Sequence, residues 1–233
     1  MNLFVLSYYF SVAFQLISFL IQLYGLQLPI TPQLIPLSYS LQVEFYVSIV
    51  ELIVYLWIGT NLVNLKSVMN KRYLDWFITT NFLLISISLL FIYFNQRQNE
   101  KDPIEIEKKN NVKELFIKNI PKFTPILIYN NLMLIIGYLG EIQKIPKVFS
   151  TSIGFVFFFL SFYYLYYFFA KYSKSGKFLF YILALIWGLY GVSHTFGSYW
   201  KNISYNILDL ISKNIFGVFL VYMILHPNAF FIE

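Results

Sequence analysis

The chain has 233 residues, of which 58% are hydrophobic and 12% are charged, and this balance excludes a soluble domain and predicts an integral membrane protein. The net charge of +6 comes from basic residues at the ends of apolar stretches, so we expect lipid head groups as the partner and no nucleic acid. There is no cysteine and the two histidines lie far apart, which predicts no metal site and no thiol catalysis. We therefore expect that the protein has no catalytic residues and is not an enzyme.

Seven apolar stretches follow one another, each long enough to cross a bilayer. They predict an all-α integral membrane protein, a bundle of seven transmembrane helices that forms one domain over residues 1–233. The first stretch lacks a basic region and a cleavage site, so we interpret it as a retained helix. The predicted limits are 2–24, 38–60, 72–95, 122–142, 147–170, 177–199 and 202–226.

The second stretch, LQVEFYVSIVELIVYLWIG, contains Glu44 and Glu51. Their spacing of seven residues places them on one helical face, about 10 Å apart. Two acids buried in one membrane helix indicate a hydrated cation path. The alternative is that Glu44 lies near an interface and that Glu51 is a protonated, hydrogen-bonded core group.

The third stretch, RYLDWFITTNFLLISIS, places Asp75, Thr79 and Ser86 on one face, with Arg72 one turn before Asp75. An arginine and a carboxylate inside an apolar helix are expected to face the bundle interior or a water-filled cavity. The alternative is that Arg72 ends the helix by reaching toward the head groups and pairs with Asp75.

The seventh stretch contains Lys213, a lysine in the middle of residues 203–225. A bare ammonium at bilayer depth costs a few kcal/mol on insertion scales. Asp209 lies four residues earlier, on the same face. A lysine also condenses with an aldehyde to form a Schiff base, and Asp209 would then be its counter-ion.

Basic residues are distributed unevenly between the two sides of the predicted bundle. The side that carries the C-terminus has ten of them and the other side has six, which predicts an external N-terminus and a cytoplasmic C-terminus. The longest polar segment, residues 95–118, is a charged connector to which we assign no chemistry. The ten residues are Arg97, Lys101, Lys108, Lys109, Lys113, Lys118, Lys122, Lys171, Lys174 and Lys177; the six are Lys66, Lys71, Arg72, Lys144, Lys147 and Lys201.

The segments RYLDWFITT and DLISK resemble the third-helix and seventh-helix motifs of microbial rhodopsins, which are seven-helix retinal proteins. Their order and separation fit, and the resemblance covers essentially the whole chain. It implies that Lys213 carries all-trans retinal as a protonated Schiff base. Asp75 and Asp209 would then be paired counter-ions, with Arg72 beneath them.

The same resemblance implies a retinal pocket. Trp76 and Trp187 would sandwich the polyene, and Tyr190 would touch the ring or Asp209. Tryptophans in membrane helices are also interfacial anchors, but the positions of these two beside motif residues favour the pocket. The remaining implied pocket residues are Thr79, Thr80, Leu83, Met133, Gly137 and Asn130, the last opposite Thr80.

Three positions depart from the family pattern. Asn81 stands where a proline often ends the third-helix TTP motif, and Gly191 stands where a proline often follows the sixth-helix tyrosine. Ser86 occupies the position, eleven residues after Asp75, where proton pumps carry a carboxylate. A serine is a poor proton donor, which disfavours fast pumping.

Channelrhodopsins resemble this chain more specifically. They carry second-helix glutamates at a spacing of seven and an asparagine after the retinal lysine, here Asn214. The resemblance implies a central gate of Glu51 and Asn214, with Ser11 or Ser18 from the first helix. The next heptad position is Ile58, so ion selectivity stays open.

The sequence therefore predicts a retinal-binding photoreceptor that acts as a light-gated cation channel. The alternative is a light-driven outward proton pump, and a third possibility is a sensory receptor. The transported ions would be monovalent cations or protons, and a homo-oligomer is left open. The abundance of Ile, Asn, Lys, Phe and Tyr also resembles viral rhodopsins, which would place the protein in a host-cell membrane.

Overall fold

The computed structural model of the chain describes residues 2–99, 108 and 110–230. Within these ranges, seven helices are long and apolar enough to cross a membrane, which confirms the predicted seven-helix bundle. The calls on Lys101 and Lys109 lie outside the described residues. The helices are α1 Leu3–Gly25, α2 Ile35–Gly59, α3 Leu65–Asn99, α4 Ile120–Glu141, α5 Lys147–Phe168, α6 Lys174–His194 and α7 Ser198–Leu225.

Local chemistry sets several of the helix starts. Asn2 caps α1, because its Oδ1 accepts the N–H of Phe4 at 3.0 Å. Ser173 caps α6 in the same way through the N–H of Gly176 at 3.1 Å. Prolines occupy the first turns of α2 and α4, where the missing N–H has no cost. Odd-numbered helices start at one end of the bundle, here called the N-terminal end, and even-numbered helices start at the opposite, C-terminal end.

The start of α3 differs from the prediction. The helix begins at Leu65 rather than at residue 72, so Lys71, predicted as a loop residue, is helical, and Arg72 lies two turns inside the helix instead of at its start. Both side chains are buried. The Nζ of Lys71 donates to the backbone oxygen of Trp57 at 2.5 Å and to the hydroxyl of Thr60 at 3.3 Å. These acceptors at the end of α2 stabilise a buried lysine inside α3. A hydropathy pattern instead predicts a helix boundary at such a basic residue.

The connection between α6 and α7 is also placed differently. Residues 177–199 were predicted as one helix, but α6 ends at His194 and α7 begins at Ser198. Residues 195–197 form the turn, and Gly197 takes an extended conformation before α7. The segment predicted as a connector is partly helical, since α3 continues to Asn99 and residues 112–115 form a short helix.

Two helices, α3 and α7, form the centre of the bundle and are more buried than the other five. The middle of α7 is a π-helical segment, Leu210–Ile215, which contains Lys213. Single π turns inside helices are frequent at functional sites. The outer helices expose large apolar side chains such as Phe159 of α5, as expected for a surface in lipid.

Candidate functional site

A cluster of buried ionisable side chains lies at the centre of the bundle. The Nζ of Lys213 is 2.6 Å from Asp75 Oδ2, 3.6 Å from Glu51 Oε1 and 3.8 Å from Asp209 Oδ1. Arg72 adds a second cation, 2.9 Å from Asp209 Oδ2. All five side chains are almost completely buried. Charges at this depth persist only when they are paired and hydrogen-bonded.

Asp209 is the most heavily hydrogen-bonded member of the cluster. It accepts hydrogen bonds from the hydroxyl of Tyr55 at 2.7 Å, the hydroxyl of Tyr190 at 2.8 Å, Arg72 Nη1 at 2.9 Å and the indole N–H of Trp76 at 3.4 Å. The sequence predicted the contact with Tyr190 but not the one with Tyr55. Four donors, one of them a guanidinium, stabilise Asp209 as an anion.

Asp75 has a much sparser environment. Its Oδ2 accepts from Lys213, while among the described residues its Oδ1 has no hydrogen-bond partner. The hydroxyl of Thr79 donates to the backbone oxygen of Asp75 at 2.9 Å and leaves the carboxylate untouched. The two aspartates are therefore unequal, because Asp75 depends on the lysine alone.

Arg72 does not reach toward head groups. Its Nε donates to Asn202 at 3.3 Å, its Nη1 donates to the hydroxyl of Tyr55 at 3.0 Å, and its Nη2 donates to Asn206. The alternative reading, in which Arg72 ends the helix and pairs with Asp75, is wrong, because its carboxylate partner is Asp209. The asparagines of α7 were missed, although Asn202, Asn206, Asp209 and Lys213 recur at helical spacing on one face.

A mainly apolar cavity, with Lys213 in its lining, lies between α3, α4, α5 and α6. Most of the predicted pocket residues line it, with Thr79 and Asn130 as exceptions. Asn130 instead donates to the hydroxyl of Thr80 at 2.8 Å, so the two lie opposite each other as predicted. The predicted residues that line the cavity are Trp76, Thr80, Leu83, Met133, Gly137, Trp187, Tyr190 and Lys213.

Sequence reasoning missed the α5 wall of this cavity. The aromatic run at residues 155–169 suggests lipid-facing and core packing, and of its fifteen residues four are exposed and five are buried. A single sequence gives no signal for which phenylalanines of such a run face a ligand. The α5 residues that line the cavity are Ser150, Thr151, Gly154, Phe155 and Phe158.

The cavity fits a retinal group. A mainly apolar cavity with aromatic walls suits a polyene, and a lysine in its lining suits attachment of the retinal aldehyde. Asp75 and Asp209 beside that amine suit a cationic linkage. In addition, the buried indole N–H of Trp187, which lines the cavity, has no acceptor in the described part of the chain.

A second set of buried polar side chains, here called the polar column, runs beside the ion cluster between α1, α2 and α7. Its centre is the hydrogen bond from Asn214 Nδ2 to Glu51 Oε2, at 2.9 Å. The hydroxyl of Ser18 donates to the backbone oxygen of Asn214 at 2.9 Å. The column comprises Ser11, Gln15, Ser18, Gln22, Glu44, Ser48, Glu51, Asn206 and Asn214.

The remaining predicted pathway residues differ in their contacts. Ser11 donates to the backbone oxygen of Asn206 at 3.3 Å, so Ser18, and not Ser11, reaches the Glu51–Asn214 pair. Ser86 is outside the column and bonds with Ser40 of α2 at 2.9 Å. The α1 stripe at residues 11, 15, 18 and 22 was recognised only at two of its serines, although its spacing marks one helical face.

Several polar atoms of the column lack protein partners. Over the described ranges, both side-chain oxygens of Glu44 and both polar atoms of the Gln15 amide are buried without a hydrogen-bond partner. The same is true of one oxygen each in Gln22, Glu51 and Asn214. Buried polar groups without protein partners are typically satisfied by water. The column therefore has the chemistry of a hydrated path.

Comparisons with known proteins agree with this geometry. A family model described as bacteriorhodopsin-like protein matches residues 3–226. The chain is similar to the crystal structure of the viral rhodopsin OLPVRII, with 28% identity, a TM-score of 0.79, and 95% of this chain and 97% of that one covered. It shares its fold with a blue light-absorbing proteorhodopsin from Med12 (22% identity, TM-score 0.70, 95% and 96% covered). Xanthorhodopsin, a light-driven ion pump with dual chromophore, also has this fold (17% identity, TM-score 0.67, 97% and 93% covered). A search of curated proteins finds no match.

The hydroxyl of Tyr55 gives the first testable prediction. It donates to Asp209 and accepts from Arg72, so Tyr55→Phe removes two hydrogen bonds to buried charges. Each is worth about 1.5–3 kcal/mol, and we expect a clearly lower temperature of thermal unfolding, measured by circular dichroism of the purified protein. The control is Tyr46→Phe on the same helix, where the ring is 65% exposed. Equal unfolding temperatures for the two variants would contradict the role of Tyr55.

Proposed function

Since the chain belongs to the bacteriorhodopsin-like family, whose members bind retinal through a Schiff base in a membrane, we propose that it is a light-gated channel for monovalent cations. The polar column is the observation that carries this proposal. It places two glutamates and a series of amides and hydroxyls along one interface inside an otherwise apolar bundle.

We assign the retinal attachment to Lys213 and the walls of the pocket to Trp76 and Trp187. Bound there, retinal supplies absorption of visible light and a light-driven change of shape. The protein supplies the electrostatics: Asp75 and Asp209 hold a positive charge at Nζ, and Arg72 offsets part of their negative charge.

Asp75 is the proposed acceptor of the proton held at Nζ of Lys213. It is the nearest carboxylate, at 2.6 Å, and it has one oxygen without a partner among the described residues. Asp209 is less suited as the acceptor, because both of its carboxylate oxygens already accept hydrogen bonds, from four donors in all. Proton transfer to Asp75 would neutralise the Lys213–Asp75 pair.

Neutralisation of that pair would reach the polar column through Glu51. The Oε1 of Glu51 lies 3.6 Å from Lys213 Nζ, and its Oε2 accepts from Asn214. When the positive charge at Nζ is lost, Glu51 loses its nearest cation. We expect that the Glu51–Asn214 hydrogen bond, the contact that joins α2 to α7, then weakens. We propose that this contact is the gate, and that water and cations pass along the column when it opens.

A negatively lined path favours cations over anions. Glu44 and Glu51 supply that charge when they are ionised, and Glu44 is the carboxylate of the column nearer the C-terminal end of the bundle. The proposed orientation places the N-terminus outside and the C-terminus in the cytoplasm, because basic residues are enriched at the C-terminal end. Glu44 would then lie toward the cytoplasmic mouth.

A light-driven outward proton pump is the alternative. The short contact between Lys213 and Asp75 favours it, because a pump also needs an acceptor beside the lysine. Ser86 disfavours it, since this hydroxyl is bonded to Ser40 in the region where a pump places a proton-donating carboxylate. The pumps among the similar structures are below 25% identity and support the fold alone.

The second prediction tests the attachment site. Lys213→Ala removes the amine in the lining of the cavity, so we expect complete loss of the visible absorption band formed with all-trans retinal. The control is Lys177→Ala, an exposed lysine at the start of α6, which should give a normal band. A normal band in the Lys213 variant would refute the retinal assignment.

The third prediction tests the acceptor. Asp75→Asn removes the negative charge closest to Nζ, so we expect a band shifted to longer wavelength or a deprotonated linkage, together with slowed or abolished proton transfer in flash photolysis. Ser86→Ala on the same helix is the control and should leave the spectrum unchanged. Unchanged spectra and kinetics in Asp75→Asn would leave Asp209 as the sole counter-ion.

The fourth prediction separates channel from pump. Glu51→Gln and Asn214→Leu should change the amplitude, reversal potential or closing rate of the photocurrent by several-fold while retinal still binds. Glu44→Gln should mainly lower cation conductance. The measurement is a current–voltage curve under symmetric and asymmetric sodium, with Gln42→Ala on the exposed face of α2 as control. Outward current at every voltage, unaffected by these changes, would replace the channel by the pump.

A further inference from the structure

A second cavity opens at the N-terminal end of the bundle, away from the ion cluster. It lies between the starts of α3, α5 and α7 and the ends of α4 and α6, and its volume is about 610 Å³. Four lysines line it, and Glu141 is the single acidic residue among the described residues of its wall. The lysines are Lys66, Lys144, Lys147 and Lys201.

The single carboxylate is fully used by one lysine. Lys201 is buried and its Nζ contacts both oxygens of Glu141, at 2.6 and 2.8 Å. Lys147 donates to the backbone oxygens of residues 195 and 196, which are neutral and leave its charge in place. Lys66 and Lys144 are exposed and make no ion pair with any described carboxylate. The wall therefore carries three uncompensated positive charges, four from lysine less one from Glu141.

Two helix starts add to this positive field. Pro146 precedes α5 and Gly197 precedes α7, and both line the cavity. Neither residue makes a side-chain hydrogen bond to the first turn of its helix. The first N–H groups of a helix carry partial positive charge and bind anions when side chains do not cap them.

A buried histidine on the same wall lacks a partner. His194 is 6% exposed, and its Nδ1 lies 3.8 Å from Glu141 Oε2. In the part of the chain that the structure describes, its Nε2 has no hydrogen-bond partner. A buried nitrogen left unsatisfied costs about 1–3 kcal/mol. His194 lines both this cavity and the retinal cavity, so a hydrogen-bonding group that enters either of them can satisfy Nε2.

We propose that this cavity binds a phosphate group, either as a free phosphate or as the phosphate of a lipid head group. A phosphate offers several charged oxygens at once, which suits lysine ammoniums and helix N–H groups around one space. The volume is of the size of a small-molecule site, roughly 300–1,000 Å³, and far exceeds that of a halide ion. The site shares no residue with the polar column, so it does not depend on the transport activity.

The test is isothermal titration calorimetry of the full chain, loaded with retinal and purified in detergent, with inorganic pyrophosphate at constant ionic strength set by chloride. We expect saturable binding by the unchanged protein and by Lys177→Gln, whose lysine is exposed at the opposite end. The double variant Lys66→Gln with Lys144→Gln should bind about tenfold or more weakly, the loss expected for one charge-assisted hydrogen bond. Both changes are at exposed lysines, so the variant should fold.

A second arm distinguishes the source of the phosphate. In nanodiscs of phosphatidylcholine with or without phosphatidylglycerol, a rise in unfolding temperature caused by phosphatidylglycerol and lost in the double variant would identify a lipid phosphate, even when pyrophosphate does not bind in detergent. Pyrophosphate binding in detergent supports a free phosphate. Absence of both effects overturns the proposal. Equal responses of the double variant and the unchanged protein overturn it as well.

Discussion

The structure depends on one buried cluster inside a membrane bundle, in which two cations and three carboxylates are connected by ion-pair distances of 2.6 to 3.8 Å. No member is stable there alone, because an isolated charge in the membrane interior is costly. Arg72 and Asp75 come from α3, Asp209 and Lys213 from α7, and Glu51 from α2. The cluster thus holds together the two central helices and one neighbour. Any event that redistributes charge within it acts on three helices at once.

The cluster is asymmetric, so its two aspartates would respond differently to a redistribution of charge. Asp209 is held by four donors from three helices, so it acts as a fixed anion of the scaffold. Asp75 is tied to Lys213 alone and can change its charge with little loss of other contacts. Glu51 links the cluster to the polar column, because one of its oxygens faces Lys213 and the other accepts from Asn214. A charge change at Lys213 and Asp75 is therefore felt first at the boundary between α2 and α7.

The sequence predicted the parts of this arrangement that lie within one helix. The placement of Asp209 and Lys213 on one face, and of Glu44 and Glu51 on another, follows from helical geometry alone. The seven helices were predicted from the length of the apolar stretches. The partners between helices were largely missed, among them Tyr55 and Asn206, because tyrosines and asparagines in membrane helices have many roles and a single sequence does not register two helices against each other. The predicted helix boundaries were wrong where polar residues are buried. Lys71, for example, is helical because the end of α2 supplies its hydrogen-bond acceptors. The residues that line the proposed phosphate site form no motif in the sequence, because they come from five helix ends.

The fold itself does not choose between a channel and a pump, since pumps with little sequence similarity share it. What distinguishes the two functions is the route by which buried polar groups continue past Lys213 toward the C-terminal end of the bundle. Along α3 that continuation stops at Ser86, whose hydroxyl and backbone are closed by reciprocal bonds with Ser40. Along α1 it continues, because Ser18 reaches Asn214 and Gln22 reaches both Ser18 and Ser48. The proposed path for ions on that side therefore follows α1 and α2, where the carboxylate of Glu44 lies, rather than the α3 route that a proton-donating carboxylate would require.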